Sequence, residues 1–291
     1  MAVCPAAQWI FGGYGRPMRM LRLAVHLCCT AALVAATSGV AWAQFTTRNR
    51  SDPATGETYH VEAAFGFWNP TPEIVFSSEQ FGIPGSDIDL VEDLDAEKAK
   101  FRDFRLVLRP ARKHKCRLEF VPIKYEVDTV LRRTIVFNGN SFAVGLPVQG
   151  ELKWDAWRFG YEYDFIYRDR GFLGFIAEAK YTAVSAELNS PLTSEFAEAK
   201  APIPAIGLIG RGYLLPNLAV TGEFTAFKIP DSEERDYSGR YYDFDLYGTL
   251  NFSNNFGVTA GYRRLTLGYT VDEDFGDFRM TGYYLMGVAR F

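Results

Sequence analysis

Hydrophobic and polar side chains alternate with a period of two along most of the chain beyond residue 57. The clearest stretch runs from Trp157 to Tyr167, where every odd position is aromatic and the even positions up to 164 are Arg158, Gly160, Glu162 and Asp164. A helix would mix these two sets on each of its faces, whereas a strand separates them. The pattern therefore predicts β-strands with one aromatic, apolar face and one small or charged face.

Ten such segments are predicted, at 58–68, 100–109, 115–125, 152–167, 172–183, 202–214, 218–228, 240–252, 256–268 and 278–291. Short turns, at 110–114, 168–171, 215–217 and 253–255, alternate with longer connections, at 69–99, 126–151, 184–201, 229–239 and 269–277. This alternation is typical of a closed antiparallel transmembrane β-barrel, with short periplasmic turns and long extracellular loops. A hairpin at Phe137-Asn-Gly-Asn140, a strong turn signal, leaves counts of eight or twelve strands open.

The first 43 residues have the pattern of a secretory signal peptide. Arg16, Arg19 and Arg22 precede an apolar run that ends in Ala41-Trp42-Ala43, an A-x-A cleavage site. Translation starting at Met1, Met18 or Met20 would each preserve this pattern. We expect residues 1–43 to be a cleaved signal peptide, 44–57 a short periplasmic segment and 58–291 the barrel.

Composition excludes several classes of protein. The chain has 291 residues, of which 48% are hydrophobic, and this content is too high for a disordered chain. Without the signal peptide, 28 basic and 35 acidic residues remain, a net charge of −7 that argues against nucleic-acid binding. Only Cys116 remains of four cysteines, so an exported chain would rely on closure of its strand ladder instead of disulfides. No cofactor is expected.

If the aromatic face meets lipid, the opposite face lines the lumen and carries seven basic and seven acidic side chains. They are Arg105, Arg109, Arg117, Glu119, Arg158, Glu162, Asp164, Glu178, Lys180, Arg211, Glu223, Asp243, Asp245 and Arg263. A lumen of about ten strands is narrow, and buried charges are costly unless they are paired. The pattern predicts either a plug of ion pairs that seals the barrel or a small charge-lined path for ions or solutes.

The last strand ends on Phe291, with Tyr283, Leu285, Gly287 and Ala289 at every second position before it. This pattern resembles the C-terminal signal of bacterial outer-membrane proteins, although Met286 stands where a glycine is often found. The resemblance implies recognition of Phe291 by the barrel-assembly machinery. Outer-membrane lipid and lipopolysaccharide are the other expected partners, and the sequence indicates no oligomeric state.

The first long loop is rich in carboxylates, at Asp87, Asp89, Glu92, Asp93 and Asp95. Carboxylate oxygens are Ca²⁺ ligands, but the spacing is not that of an EF-hand and the glycine at its turn position is missing. A weak Ca²⁺ site, a solvated acidic loop, and a loop bridged by divalent ions to lipopolysaccharide are all compatible with the pattern.

A family resemblance covers residues 61–170. Asp87-Ile-Asp89-Leu90, Asp93-Leu94, Arg109-Pro110, His114-Lys115 and Ile135-Val-Phe137 together resemble an uncharacterised, porin-like family of bacterial outer-membrane barrels. The resemblance implies a β-barrel in the outer membrane and implies no activity.

Candidate catalytic residues are few. His60 and His114 both lie at the predicted periplasmic end, and neither forms a His-x-Ser pair. We therefore predict a non-enzymatic outer-membrane barrel that is either a narrow porin-like channel or a structural or binding barrel with acidic loops. Two alternatives remain open, namely an outer-membrane enzyme acting on lipid or peptide and a soluble periplasmic β-sandwich or lipocalin-like binding protein.

Overall fold

The computed structural model describes residues 54–78, 85–191, 193–229, 237–271 and 274–291. The predicted signal peptide and most of the segment 44–57 lie outside the described residues. The described residues form thirteen strands, and none of them lies in an α-helix. No helix in these ranges is long and apolar enough to cross a membrane.

Ten strands form the barrel. They are β1 (Val61–Ser77), β3 (Phe101–Ala111), β4 (His114–Val130), β7 (Pro147–Arg168), β8 (Gly171–Asn189), β9 (Ser194–Leu215), β10 (Leu218–Ile229), β11 (Tyr237–Asn251), β12 (Phe256–Val271) and β13 (Asp274–Arg290). Each strand pairs antiparallel with its sequence neighbour in the barrel, and β13 pairs with β1 from Glu62↔Arg290 to Ser77↔Phe275. The predicted closed ten-strand barrel is confirmed.

Three short strands lie outside this ladder. β2 (Ile88–Asp89) pairs with the end of β1, and β5 (Ile135–Phe137) pairs with β6 (Asn140–Phe142) as a separate hairpin. Asn138 and Gly139 connect β5 and β6 with φ of 51° and 76°, as a two-residue turn with both residues at positive φ requires. The hairpin predicted at Phe137–Asn140 exists, and it adds no strand to the barrel.

Two of the predicted long connections are short. β8 continues to Asn189 and β9 begins at Ser194, while β12 continues to Val271 and β13 begins at Asp274. The sequence pattern misled here because the outward side chains become polar, as at Glu187, Glu198 and Lys200, and the apolar alternation that marks a lipid-facing strand stops. The strands nevertheless continue beyond that level as an antiparallel ladder.

The outward face carries an apolar belt around the barrel. Its exposed side chains include Phe65, Phe67, Phe104, Phe159, Phe175, Ile206, Leu208, Phe224, Phe244, Leu246, Tyr283 and Leu285. The interior divides into two parts. Charged residues fill the half near the short turns, and a cluster of buried apolar residues that includes Trp68, Trp154, Phe278 and Met280 fills the other half. A β-barrel with an apolar exterior and charges inside is the arrangement that a transmembrane barrel requires.

Candidate functional site: the ion-pair plug and the outer cavity

The charged side chains of the lumen point inward because they occupy alternate positions of straight strands. On β7 the even positions Arg158, Glu162 and Asp164 are buried, while the odd positions Phe159 and Tyr163 are exposed. The same alternation places lumen charges on β3, β4, β8, β10, β11 and β12. Strand periodicity alone therefore gathers these groups in one space.

Most of these charges belong to one continuous network, which we call the ion-pair plug. Its six basic members are Arg105, Lys115, Arg117, Arg158, Lys180 and Arg263, and its eight acidic members are Asp103, Glu119, Glu162, Asp164, Glu178, Glu223, Asp243 and Asp245. Arg158 lies at its centre, with Nη2 at 2.7 Å from Glu178 and 2.6 Å from Glu223. Its Nη1 atom lies 3.0 Å from Glu119.

Several of these bonds cross the barrel. Arg105 on β3 lies 2.9 Å from Asp245 on β11, and Arg117 on β4 lies 2.7 Å from Glu223 on β10. Arg263 on β12 bonds to Glu119 on β4, and its other nitrogen lies 2.8 Å from Asp243. The bonds between β3 and β11, between β4 and β10, and between β4 and β12 join strands that are not neighbours in the ladder, so these bonds span the lumen.

A second group closes the end of the barrel near the short turns. Glu57, just before β1, is buried and lies 3.1 Å from Arg211 and 3.5 Å from Arg109. The Tyr213 hydroxyl donates a hydrogen bond of 2.6 Å to the Glu57 carboxylate. Burial raises the pKa of Glu57, but the Arg211 charge and the Tyr213 hydrogen bond outweigh it, with help from Lys115 and Arg109, and hold the pKa below 4.5.

The structure brings together all fourteen lumen residues that the sequence singled out. Twelve lie in the ion-pair plug, while Arg109 and Arg211 bind Glu57. The sequence analysis missed Asp103, Lys115 and Glu57. Asp103 and Lys115 share the parity of Arg105 and Arg117, so alternation contained the signal for them. Glu57 precedes the first strand, and no periodicity could have assigned it to the lumen.

The outer half of the interior contains a cavity of about 650 Å³. Its apolar lining includes Phe76, Phe137, Val184, Ile203, Leu267 and Phe278. Polar side chains such as Lys200 and Arg240 also line it. The space left within the plug is much smaller, about 50 Å³. The sequence analysis assigned only charged or small residues to the lumen and missed this cavity, although the barrel residues Phe76, Val184, Ile203, Leu267 and Phe278 of its lining continue the inward parity of the charged positions.

The acidic loop binds its own arginines. Asp93 lies 2.6 Å from Arg133, and Asp95 lies 2.7 Å from Arg132. The Asp89 carboxylate accepts hydrogen bonds from the backbone N–H groups of Val91 and Glu92. Across the described ranges, no group of three or more His, Cys, Asp and Glu side chains is arranged to hold a metal ion. Asp87 and Glu92 likewise belong to no such group within the described ranges.

The remaining candidates lie at the end of the barrel near the short turns. His60 Nδ1 lies 3.3 Å from the carbonyl oxygen of Arg109, and His114 forms a hydrogen bond with the Tyr161 hydroxyl. Cys116 is half-buried on the outward face of β4. Phe291 is exposed, while its backbone pairs with His60 and Val61 and so continues the closure of the barrel.

The comparisons with known proteins concern the fold. The crystal structure of the outer-membrane protease OmpT from Escherichia coli aligns with a TM-score of 0.53 and 9% identity. The alignment covers 84% of this chain and 100% of that one. The chain has the fold of bacterial outer-membrane β-barrel proteins. At this identity the similarity extends to the fold alone.

Two further solved barrels align less closely. Ail, the attachment invasion locus protein of Yersinia pestis, gives a TM-score of 0.35 at 10% identity, covering 78% of this chain and 99% of that one. The toluene transporter TodX of Pseudomonas putida gives 0.35 at 8%, covering 83% and 92%. No family model and no curated protein matches the chain, so the narrower resemblance over residues 61–170 stays a prediction.

Proposed function

We propose that this chain is a non-enzymatic barrel of the bacterial outer membrane, that its lumen is closed to through-flow, and that it acts as a structural or binding protein instead of a porin. The observation that carries the proposal is the ion-pair plug, whose bonds join non-neighbouring strands across the lumen. An ion passing through would have to separate buried pairs, and breaking a buried pair leaves an uncompensated charge at a cost of about 3–5 kcal/mol.

Placement in the outer membrane is supported by the apolar belt and by the closed ladder. In hydrocarbon every backbone polar group needs an internal partner, which a closed barrel supplies. Export by a cleaved signal peptide, contact of the belt with lipid and lipopolysaccharide, and recognition of Phe291 by the barrel-assembly machinery belong to the same proposal. The short turns, the start of β1 and the end of β13 then face the periplasm.

Planar-bilayer recording of the refolded barrel tests the closed lumen. We expect no unit conductance above background for the wild type. The double variant Arg158→Ala/Glu223→Ala, which removes the centre of the plug, should give measurable steps and so shows that the assay can detect an open barrel. The control is the corresponding double alanine variant of Lys124 and Glu151, an exposed pair 2.9 Å apart on the outside of the wall, and it should behave like the wild type. Discrete steps from the wild type would overturn the proposal.

The proposal that the barrel has no enzymatic activity rests on where the two described histidines lie. His60 and His114 lie near the short turns and far along the strands from the outer end of the barrel, where lipid or peptide substrates outside the cell would be reached. Incubation of the refolded barrel with lipopolysaccharide and with peptide mixtures, followed by mass spectrometry, should give no product. A product that disappears in His60→Ala or His114→Ala would establish the enzyme alternative.

A further inference from the structure

Among the described residues, an opening separates β9 from β10 at the outer end of the barrel wall. The ladder between these strands ends at the pair Ile206↔Ala226. Beyond it β9 continues to Ser194 paired with β8, and β10 continues to Ile229 paired with β11. Among the described residues, no strand pairs with the free edge of β9 over residues 194–205.

Two prolines explain why β9 forms no ladder hydrogen bonds on this edge within the described residues. Ser190 N–H donates to the Thr193 carbonyl, and Tyr213 N–H donates to the Arg170 carbonyl, so the odd-numbered residues of β9 bond towards β8. The even-numbered residues therefore direct their backbone groups towards β10. Pro202 and Pro204 occupy even positions and have no N–H to donate. The sequence thus removes two successive ladder donors from the stretch of β9 that has no partner strand on this side among the described residues.

The cavity of the outer half lies directly behind this opening. Its lining includes the inward residue Ile203 of β9 and, on the same strand, the outward residues Lys200, Pro202 and Pro204. The lining thus takes in residues from both faces of β9, so the unpaired edge of this strand borders the cavity. A cavity that extends around this edge to the outer surface accounts for that lining.

The opening begins at the upper rim of the apolar belt. Pro202 pairs with Tyr181, which pairs with Trp157, and these rings occupy the level at which an aromatic girdle meets the membrane interface. Below them Ile206 and Leu208 are 62% and 54% exposed. Above them Lys200 and Glu198 form an exposed ion pair of 2.6 Å. The opening thus lies where the hydrocarbon of the outer leaflet ends.

We propose that the cavity binds the acyl chain of a membrane lipid, which enters sideways between β9 and β10. The volume of about 650 Å³ falls within the range of about 300–1,000 Å³ that is usual for small-molecule sites. An apolar cavity is a poor site for water and a favourable one for hydrocarbon. A lipid entering at this level keeps its polar head at the interface, beside Lys200 and Glu198. The inference rests on the proposed placement in the outer membrane.

Photolabelling in liposomes tests the site. The refolded barrel is reconstituted with a phospholipid that carries a diazirine near the end of one acyl chain, and adducts are mapped by mass spectrometry. We expect adducts on the outward residues Leu208 and Phe224, which report insertion, and on the cavity residues Ile203, Leu267 and Phe278. Labelling of the outward set alone overturns the acyl-chain site and leaves the membrane placement intact. Labelling of neither set overturns both.

A matched pair of variants separates the cavity from the outer surface. Ala186→Trp fills the cavity from β8, whereas Ala183→Trp places the same ring on the outward face of the same strand. We expect Ala186→Trp to lose the cavity adducts and keep the outward ones, and Ala183→Trp to keep both. Heat-modifiable migration on a gel confirms that each variant has folded. Unchanged cavity adducts in folded Ala186→Trp would overturn the site.

The route is tested by restoring the missing donors. In Pro202→Val/Pro204→Val the edge of β9 regains two N–H groups, and extension of the ladder would bring residue 204 opposite Lys228. We expect the wall to close and the cavity adducts to fall, while the adducts on Leu208 persist. Cavity labelling that is undiminished in the folded double variant would mean access from the aqueous mouth and would overturn the lateral route.

Discussion

Individual charged residues in this barrel are stabilised by their partners and not by solvent. Glu119 is buried beside Arg158 at 3.0 Å, and Arg263 also bonds to its carboxylate. Burial penalises each of these ions, and mutual attraction compensates only while every partner is present. The cost of a substitution therefore depends on what it leaves behind in the lumen.

We expect Glu119→Gln to lower the free energy of unfolding by about 3–5 kcal/mol, because two arginines lose their shared counter-charge inside the barrel. Urea unfolding from phosphocholine vesicles, followed by tryptophan fluorescence, measures it. Lys124→Gln on the same strand is the control, since Lys124 is exposed and pairs outside the wall, and it should leave the midpoint unchanged. Equal effects of the two substitutions would contradict the view that the buried ion pairs stabilise the fold more than the exposed pairs do.

The end of the barrel near the short turns should respond to acid through Glu57. Its folded pKa lies below 4.5, so the ionised carboxylate stabilises the fold above about that pH. That contribution is lost as the pH falls through the lowered pKa. Glu57→Gln should therefore be less stable than the wild type at neutral pH, and the two should converge well below pH 4.5. Urea midpoints across this range measure the difference, and a constant difference would refute the assignment.

At the scale of the elements, the strands extend beyond the apolar belt and the β5–β6 hairpin packs over the outer end of the interior. Phe137 contacts Phe76 edge to face, with ring centroids 6.0 Å apart, and both line the cavity. Asn138 Nδ2 donates to Glu195 Oε2 at 2.9 Å, which ties the hairpin to β9. The hairpin thus lies outside the barrel ladder and forms part of the cavity wall.

Gly139→Val should loosen this hairpin without opening the barrel. The φ of 76° at Gly139 is strained for a β-branched residue, at a cost of about 1–3 kcal/mol. Amide hydrogen exchange should quicken in residues 135–142 and stay slow in β8 and β13. Ser141→Val, which adds the same side chain at an exposed strand position, should leave exchange unchanged. Faster exchange throughout the barrel would show that the hairpin supports the whole ladder.

At the scale of the whole molecule, closure between β1 and β13 makes the barrel continuous near the short turns, while the described β9–β10 ladder stops short of the other end. Phe291 takes part in closure through its backbone: the N–H groups of His60 and Val61 donate to its carbonyl. Its exposed ring, by contrast, takes no part in this closure. We expect the ring to serve as the proposed signal for the assembly machinery, so that backbone and side chain at this position have separable roles.

Phe291→Ala keeps those backbone bonds and removes the ring. We expect the yield of heat-modifiable barrel in the outer-membrane fraction of cells to fall, while refolding of the purified chain in vesicles stays unchanged. Phe256→Ala is the control, because this ring is also outward and exposed, on the strand beside the C-terminus. An equal loss of yield in both variants would point to the lipid contact of the rings instead of a terminal signal.

The success of the sequence analysis is uneven along the strands. Within the apolar belt, as from Trp157 to Tyr167, both faces of a strand carry distinct residue types, and parity assigned every predicted lumen charge to the inside. Beyond the belt, as at Glu187 and Glu198, the outward side chains become polar like those of a loop, and the alternation gave no warning that the strands continue. Inward Trp154 and Phe278 were missed as lining because their chemistry matches that of the belt.

The sequence by itself predicted about ten antiparallel strands, with eight or twelve left open, and the face on which each predicted lumen charge lies, because these depend on a two-residue period and on neighbouring turns. Only the tertiary structure decided that Arg105 meets Asp245 and that Arg117 meets Glu223. It also decided that the described β9–β10 ladder ends before Pro202 and Pro204 are reached. Contacts across a barrel depend on its closure and on the stagger between strands, and no local periodicity along a single strand encodes either.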